Sequence, residues 1–207
     1  MPKRYFITGI GTEVGETIVA AIVTEALEAD YWKPIQAGDL DNSDTHKVQK
    51  LISNKKTEFH RNAYALKTPM SPHASAEIDG VNIQVKDIGT PAVDKDLVVE
   101  GAGGLLVPLN DKETIIDLIS KDDIVVMVSR HYLGSINHTL LSIEALKNRG
   151  IKKIGVIFSG KEHPSTESII LKMGNVEVIG RIEEEPYFDE NVITEYAEKF
   201  RKKLCEI

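Results

Sequence analysis

The sequence GIGTEVGET, residues 9–17, decides the fold of this chain. An apolar run at residues 5–7 precedes this stretch, and apolar residues at helical spacing follow it from Ile18 to Leu27. The pattern predicts a strand, a glycine-rich turn and a helix in succession. Such a turn is suited to phosphate, because glycines let the backbone approach a ligand closely and the free N–H groups at the helix start attract anions.

Two phosphate-binding motifs resemble this turn, and neither matches it completely. The P-loop motif G-x-x-x-x-G-K-[ST] fits Gly15 and Thr17. However, Gly9 lies one residue too early, and Glu16 occupies the lysine position, where a carboxylate repels phosphate. The dinucleotide motif G-x-G-x-x-G fits Gly9 and Gly11, with one residue too many before Gly15. The turn alone therefore leaves both motifs open, together with a tight turn that binds no ligand.

Length, charge and cysteine content narrow the possible functions. The 207 residues predict a single α/β domain covering residues 1–207. The net charge of −7 argues against nucleic acid or an anionic membrane as the main partner, since both require a basic surface. The single cysteine, Cys205, and an amino terminus that does not resemble a signal segment predict a cytoplasmic protein.

Apolar runs and amphipathic segments alternate along the rest of the chain. The clearest predicted strands are 3–8, 31–35, 96–100, 124–129, 153–158 and 176–180. The clearest predicted helices are 18–28, 44–52, 114–120, 134–149 and 192–206. This alternation predicts a three-layer fold with a mainly parallel central sheet and helices on both faces.

Polar residues occur where predicted strands end, which is the edge at which open parallel sheets bind ligands. Lys33 suits a 2′-phosphate in a dinucleotide fold or the transferred phosphate in a P-loop fold, although it is equally well explained as a surface lysine. Glu100, followed by the glycine-rich residues 101–104, has the placement of an acid near Mg²⁺ in P-loop proteins. The polar cluster from Asp39 to Asp44 is mostly explained by helix capping, and one of its carboxylates could also bind a metal.

A second anion site is predicted at the start of the long helix 134–149. Ser135 is a suitable N-cap for this helix, and the N–H groups around it would suit the carboxylate of a small substrate. Ser71 is a similar N-cap for a short helix that begins near Pro72.

Six segments resemble, in the same order, those of the dethiobiotin synthetase family: FITGIGTEVGET, YWKPIQAG, NSDTHKVQ, TPMSPHASA, VVEGAGGLLVPL and LGSINHT. They cover most of the first 140 residues. The early Gly9 is shared with that family, so its spacing no longer argues against a P-loop. The resemblance implies a P-loop NTPase-like fold, a homodimer and an ATP- and Mg²⁺-dependent cyclo-ligase of biotin biosynthesis. Such an enzyme converts 7,8-diaminononanoate and CO₂ to dethiobiotin by phosphorylating a carbamate.

The resemblance also implies roles for individual residues. Lys33 corresponds to the catalytic lysine, which stabilises negative charge on the carbamate and on the phosphoryl group in transfer. The implied Mg²⁺ ligands are Thr17, Asp44 and Glu100. The implied ATP-binding residues are Thr12, Glu13, Val14, Gly15, Glu16, Thr17, Ile18, Asp44, Glu100, Gly101, Ala102, Gly103, Ser159 and Gly160. The implied diamine-binding residues are Thr12, Ala37, Gly134, Ser135 and Asn137, of which the last three are supplied across the dimer interface.

Three positions depart from the family pattern. Ala37 replaces a serine of some members, and Ser159-Gly160 replaces an adenine-binding Asn-Asp, which backbone groups and water can compensate. Glu16 is the serious departure, because replacing the P-loop lysine by a carboxylate changes the charge beside the triphosphate by two units. Each unit contributes roughly 4 kcal/mol at ~4 Å and an effective dielectric constant of about 20, before screening. Even a third of that total would weaken ATP binding or slow transfer about a hundredfold.

The sequence leaves three explanations of Glu16 open. The chain can be an authentic synthetase with a lesion at this one position. Alternatively, Glu16 turns outward while Lys33, Mg²⁺ or another basic residue supplies the missing charge. In the third explanation, the chain is a relative that kept the fold and lost the reaction.

Two other functions are also compatible with parts of the sequence. The first is an ATP-switched P-loop protein that dimerises over nucleotide and releases a partner, but the signature lysine of that class is absent from the loop. The second is an NADP-binding oxidoreductase that uses the three glycines of the turn and Lys33. This second interpretation leaves Asp44 and Glu100 without a role.

Overall fold

A seven-stranded parallel sheet forms the centre of the protein in the computed structural model, which describes residues 2–207. The strands are β1 (Arg4–Gly9), β2 (Asp30–Trp32), β3 (Ile35–Ala37), β4 (Phe59–His60), β5 (Tyr64–Leu66), β6 (Leu97–Gly104), β7 (Ile124–Arg130), β8 (Lys153–Ser159) and β9 (Glu177–Ile182). The helices are α1 (Glu16–Leu27), α2 (Asp44–Leu51), α3 (Pro72–Asp79), α4 (Ser135–Asn148), α5 (Pro164–Gly174) and α6 (Glu190–Glu206). The strand order is β4-β2-β6-β1-β7-β8-β9, and a second sheet pairs β3 with β5.

The predicted fold class is confirmed. All strand pairs of the main sheet are parallel. Helix α1 packs against α2 and α6, and α4 packs against α5, so that helices surround the sheet. Strands β1, β7 and β8 are buried over nearly their whole length, which explains their continuous apolar sequences.

The predicted strand 31–35 is in fact two short strands. Lys33 and Pro34 separate β2 from β3, and these strands belong to different sheets. Proline has no N–H group to donate to a neighbouring strand, so the ladder is interrupted at this point. The interruption places Lys33 just beyond the carboxyl end of β2.

Other predicted boundaries also change. The predicted helix 114–120 is a 3₁₀ turn at Ile115–Leu118. Helix α5 and the short strands β4 and β5 are additional elements that the sequence patterns did not indicate. For α5, the proline at its first turn and Asn175, in the left-handed conformation after its end, are the signals that could have revealed the helix.

Helix α1 is tied to the segment after α2 by the buried carboxylate of Glu25. Ser53 Oγ donates to Glu25 at 2.6 Å, and Asn54 donates through its backbone N–H at 3.0 Å and its side chain at 2.9 Å. Burial raises the pKa of Glu25, but these hydrogen bonds outweigh burial and hold the pKa below its ordinary value. Glu25 therefore stays ionised and fixes the position of α2.

The buried apolar side chains form one continuous cluster that extends from Tyr5 in β1 to Leu204 in α6. That residues 1–207 form a single domain stays a prediction. Among the six helices within residues 2–207, none has the length and apolar character that a bilayer crossing requires.

Candidate active site

The glycine-rich turn connects β1 directly to α1 at the carboxyl edge of the sheet. Gly15 is the N-cap of α1 with φ of 108°, a left-handed conformation that favours glycine. The first helical hydrogen bond runs from the N–H of Val19 to the carbonyl of Gly15, at 3.0 Å. The N–H groups that precede Val19 at the start of α1 therefore have no partner in the helix and can bind an anion.

An open cleft of about 680 Å³ lies over this turn. Its wall contains Lys33 and thirteen of the fourteen predicted ATP-binding residues: Thr12, Glu13, Val14, Gly15, Glu16, Thr17, Ile18, Asp44, Glu100, Gly101, Gly103, Ser159 and Gly160. Ala102 is the exception, since it lies in β6 between two residues of the wall and is absent from the wall itself.

The wall also contains residues that sequence reasoning missed. These residues are Lys47, Arg130, Ile182, Glu183, Glu184, Glu185 and Phe188. Most of them follow β9, whose residue Ile182 is in register with Ser159 of β8. Because the strands are parallel, the carboxyl end of β9 meets the same edge as the glycine-rich turn. The predicted strand at 176–180 could have indicated that the next segment reaches the cleft.

Four predicted residues from separate elements meet below the turn. Thr17 Oγ1 donates to Glu100 Oε1 at 2.9 Å. The Lys33 ammonium lies 2.8 Å from Glu100 Oε1 and 2.7 Å from Asp44 Oδ2, and it donates to the carbonyl of Gly101 at 3.0 Å. The Lys33 side chain is only 7% exposed, and that of Glu100 is 1% exposed. These contacts form a buried charge cluster at the bottom of the cleft.

The ion pairs fix the charges of this cluster. Burial by itself lowers the pKa of Lys33, but Glu100 and Asp44 outweigh burial and raise the pKa above its ordinary value. Burial likewise raises the pKa of Asp44, but Lys33 and Lys47 hold it below its ordinary value. At neutral pH, Lys33 is therefore a cation and Asp44 an anion.

Tyr31 is a further member of the cluster that sequence reasoning missed. Its hydroxyl donates to Glu100 Oε2 at 2.7 Å, and its side chain is fully buried. Burial and the Glu100 carboxylate keep the pKa of Tyr31 well above its ordinary value, so the hydroxyl stays a donor. Both oxygens of Glu100 are thus hydrogen-bonded, which fixes the orientation of the carboxylate. The pairing of β2 with β6, which sets Tyr31 beside Val98, produces this contact.

The oxygen atoms of the cluster suit a divalent cation such as Mg²⁺. One hydroxyl, of Thr17, and two carboxylates, of Asp44 and Glu100, are hard oxygen donors, and both carboxylates already surround a cation, the Lys33 ammonium. Within residues 2–207, no group of three or more His, Cys, Asp or Glu is arranged to hold a metal. Phosphate oxygens and water would therefore have to complete the coordination of Mg²⁺.

The Glu16 side chain points into the glycine-rich turn, so the one of the three explanations in which it turns outward does not hold in the structure. A Cβ atom added to Gly9 would overlap the Glu16 carboxyl, so this side chain lies directly over Gly9. Burial raises the pKa of Glu16 to about 6, against the opposing effect of the N–H groups of Glu16 and Val14. The carboxyl therefore lies beside N–H groups that a phosphate would otherwise use.

The predicted diamine-binding residues lie in different places. Thr12 lines the cleft and also a second cavity of about 440 Å³. The wall of this second cavity is mostly apolar and comprises Ile10, Gly11, Thr12, Gly104, Leu105, Leu106, Val107, Pro108, His138, Leu141, Ser142 and Ala145. Ala37 is half-buried in β3 and lines neither cavity.

Gly134, Ser135 and Asn137 line a third cavity, at the start of α4, together with Tyr132 and Leu133. They are thus absent from the walls of the first two cavities of their own chain. The prediction that Ser135 caps α4 is wrong, because Gly134 is the N-cap and Ser135 is the first helical residue. The Ser135 N–H donates to the carbonyl of Tyr132 at 3.0 Å, so this group does not face a ligand.

Ser71 is the N-cap of α3 by position, as predicted, but its side chain makes no capping hydrogen bond. Pro72 at the first helical position contributes instead, because its ring already has the φ of a helix and needs no N–H partner.

Comparison with known proteins finds relatives over the whole length of this chain. A family model described as an AAA domain matches residues 3–192. The ATP-dependent dethiobiotin synthetase BioD of Christiangramia forsetii is 74% identical over 207 residues, which cover 100% of both chains. The protein of the same name from Cytophaga hutchinsonii is 46% identical over 199 residues, covering 95% of this chain and 96% of the relative. The cell division ATPase MinD of Pyrococcus furiosus has a similar fold, with a TM-score of 0.62 and 12% identity over 98% of this chain and 100% of that one.

Proposed function

Since this chain belongs to the dethiobiotin synthetase family, we propose that it closes 7,8-diaminononanoate onto CO₂ with ATP and Mg²⁺, forming dethiobiotin for biotin biosynthesis. One observation of the structure carries the proposal. Thr17, Lys33, Asp44 and Glu100 come from four separate segments and meet directly below a phosphate-binding turn. This arrangement suits phosphoryl transfer, in which charge neutralisation and positioning do most of the catalytic work.

The reaction has three bond-forming steps. One amine of the substrate attacks the carbon of CO₂ and loses a proton, giving a carbamate. A carbamate oxygen attacks the γ-phosphorus of ATP, and ADP leaves. The second amine then attacks the carbamate carbon and loses a proton, phosphate leaves with the C–O bonding electrons, and a cyclic urea forms. The two later steps develop negative charge on oxygen atoms, which a nearby cation stabilises.

Nucleotide binding is assigned to the turn and the cluster below it. The residues that would hold Mg²⁺ are Thr17, Asp44 and Glu100, and the ion would reduce the negative charge of the phosphates that it contacts. The N–H groups at the start of α1 would bind phosphate oxygens. Tyr31 keeps the Glu100 carboxylate in one orientation through its hydrogen bond of 2.7 Å.

Lys33 is the proposed catalytic residue. It is a buried cation in the wall of the cleft, and its raised pKa keeps it protonated throughout the neutral range. Its N–H groups are engaged by Asp44, Glu100 and the Gly101 carbonyl. A carbamate or phosphoryl oxygen must therefore share or replace one of these partners when it contacts the ammonium group.

The base of the nucleotide is assigned to the end of the cleft formed by β8 and the segment after β9. Ser159 and Gly160 lie there, together with Ile182 and Phe188. The Gly160 N–H donates to the carbonyl of Ile182 at 2.9 Å, which holds the two segments together. The apolar side chains would stack against a purine, and the Ser159 hydroxyl could replace the amide that other members of the family use.

The diamine is assigned to the second cavity, which Thr12 joins to the nucleotide cleft. Its apolar wall suits the hydrocarbon chain of 7,8-diaminononanoate. The substrate carboxylate would be bound by Gly134, Ser135 and Asn137 of the partner subunit, because these residues do not line the second cavity of their own chain.

Two observations support a homodimer. The predicted carboxylate-binding residues do not line the second cavity of their own chain, and apolar residues near the start of α4 are exposed. Leu133 is fully exposed, Tyr132 is 42% exposed, and Met173 of the neighbouring α5 is 64% exposed, and all three line the cavity at the start of α4. Isolated exposed apolar residues are ordinary, but a group of them around a predicted substrate site is typical of a contact surface. Covering this surface would bring the start of α4 to a second subunit.

Membership of this family favours the ligase over the other functions considered. The likeness to MinD at 12% identity concerns the fold alone and says nothing of a partner. Measurement of turnover distinguishes the ligase from an ATP-switched P-loop protein. An ATP-switched protein hydrolyses ATP slowly without any diamine, whereas the ligase requires both the diamine and CO₂. Cofactor titration by fluorescence separates the NADP-binding alternative, since only an oxidoreductase would bind NADP more tightly than ATP.

The decisive experiment is to measure release of ADP and phosphate with each substrate omitted in turn. We expect release to require 7,8-diaminononanoate, CO₂, ATP and Mg²⁺ together. Absence of diamine-dependent release at saturating ATP would contradict the proposed function.

A second measurement addresses Glu16. The variant Glu16→Lys should bind Mg-ATP about a hundredfold more tightly or turn over correspondingly faster, because it reverses the charge inside the turn. Glu198→Lys is the matched control, since it makes the same change of charge at an exposed position of α6 that does not line the cleft. Equal gains for both variants would mean that overall charge, rather than the position of Glu16, limits the reaction.

A further inference from the structure

The nucleotide cleft has an excess of negative side chains. Its wall contains seven acids, namely Glu13, Glu16, Asp44, Glu100, Glu183, Glu184 and Glu185. Only three cations face them within the described residues 2–207: Lys33, Lys47 and Arg130. Mg-ATP still carries a net negative charge, so a side-chain cation that is not already neutralised would stabilise it in this cleft.

Two of these cations are neutralised by the cluster. Lys33 lies between Asp44 and Glu100, and Lys47 lies 3.0 Å from Asp44. Arg130 differs, because no carboxylate within residues 2–207 lies in ion-pair distance of its guanidinium. Its side chain is exposed and makes one long hydrogen bond, from Nη1 to the carbonyl of Glu13, at 3.3 Å.

The fold places Arg130 beside the phosphate-binding turn. It is the last residue of β7, two positions after Val128, which is in register with Gly9 at the end of β1. On its other side, Arg130 is in register with Ser159 of β8. Its guanidinium therefore reaches the turn from the side opposite to Lys33, which follows β2 beyond β6 in the sheet. The planar fork of N–H donors in arginine suits phosphate oxygens.

We propose that Arg130 binds the nucleotide phosphates and supplies the positive charge that Glu16 removes from the turn. The proposal rests on the proposed function only in requiring that the cleft bind ATP. It assigns Arg130 a binding role that the resemblance does not imply. It also identifies Arg130 as the basic residue that compensates for Glu16.

The test is a set of four proteins: native, Arg130→Gln, Glu16→Lys and the double variant. Calorimetry with Mg-ATP and with adenosine measures the binding of each. We expect Arg130→Gln to weaken Mg-ATP binding about tenfold in the native chain, as for loss of a charge-assisted hydrogen bond. In the Glu16→Lys background the loss should fall to about threefold or less, because the lysine then shares the phosphate charge. Adenosine, which has no phosphate, should bind equally to all four proteins.

Two further variants serve as controls. Arg130→Lys keeps the positive charge and should therefore retain most of the affinity for Mg-ATP. If Arg130 had only a structural role, keeping the charge would not by itself preserve this affinity. Arg201→Gln changes the same charge at an exposed position of α6 and should leave Mg-ATP binding unchanged.

Three results would overturn the proposal. They are an unchanged affinity of Arg130→Gln for Mg-ATP, an equal loss in the two backgrounds, and a parallel loss of adenosine binding. Failure of the proposed function has a different signature, namely normal Mg-ATP binding with no diamine-dependent release of ADP.

Discussion

Replacement of Lys33 by methionine tests the charge cluster most directly. Methionine keeps much of the length of the side chain and removes the ammonium group. Glu100, which is 1% exposed, then loses an ion pair of 2.8 Å, and Asp44 loses one of 2.7 Å. Removal of one partner from a buried ion pair costs about 3–5 kcal/mol, because an uncompensated charge stays in the interior. We expect the lower end, about 3 kcal/mol, since Asp44 keeps its contact with Lys47 at 3.0 Å.

Urea unfolding and turnover measure the two consequences of Lys33→Met. The free energy of unfolding should fall by about 3 kcal/mol. Phosphate release should fall about 100- to 1,000-fold, the usual effect of removing one group that stabilises transition-state charge. Lys47→Met is the control, because that lysine is 39% exposed in its ion pair and should contribute about 1 kcal/mol or less.

Two outcomes would refute the reasoning about Lys33. If Lys33→Met is as stable as the native protein, the two carboxylates are not held in the interior by the ammonium group. If the variant keeps its turnover, Lys33 does not act on the reacting groups. Adding Glu100→Gln to Lys33→Met should recover part of the lost stability, because it removes one of the unpaired charges.

Three further predictions concern other parts of the molecule. Tyr31→Phe should lower the free energy of unfolding by about 1.5–3 kcal/mol in urea, because Glu100 loses a buried donor; an unchanged midpoint would contradict this role. Because the folded pKa of Glu25 is lowered, its ionised form contributes stability above about pH 4.5, and this contribution is lost as the pH falls through the folded value. Glu25→Gln should therefore show a smaller loss of melting temperature on acidification than the native protein, and identical pH profiles would exclude the contribution. Leu133→Asp should shift the mass measured by light scattering from dimer to monomer, and a dimer that persists would place the contact surface elsewhere.

Much of the fold could be predicted, because its signals are local. The apolar runs of β1, β7 and β8 are continuous, and the glycines of the turn mark where the first strand becomes a helix. The break between β2 and β3 also has a local signal, the proline at position 34, although a single strand through Lys33 was the simpler interpretation. Helix α5 was missed although Pro164 in its first turn and Asn175 after its end mark its bounds.

The site was predictable only in part, because its decisive contacts join side chains that are distant in the chain. Lys33, Asp44 and Glu100 could be identified by their positions after strands and before helices. By contrast, the hydrogen bond from Tyr31 to Glu100 depends on which strand lies beside β2. The inward direction of Glu16 depends on the space left by Gly9, and the place of Arg130 beside the turn depends on the register of β7 with β1. None of these relations has a periodic signature.

The charge cluster also has a consequence for the order of folding. The contact of Lys33 with Glu100 spans 67 residues and that of Thr17 with Glu100 spans 83. Chain segments so far apart meet only after a large loop has closed, which makes such contacts slow to form. Helical circular dichroism should therefore recover before enzymatic turnover when the denatured protein is diluted into buffer. The rate at which activity returns would then report on the pairing of β1 and β2 with β6, which is the non-local step in formation of the sheet.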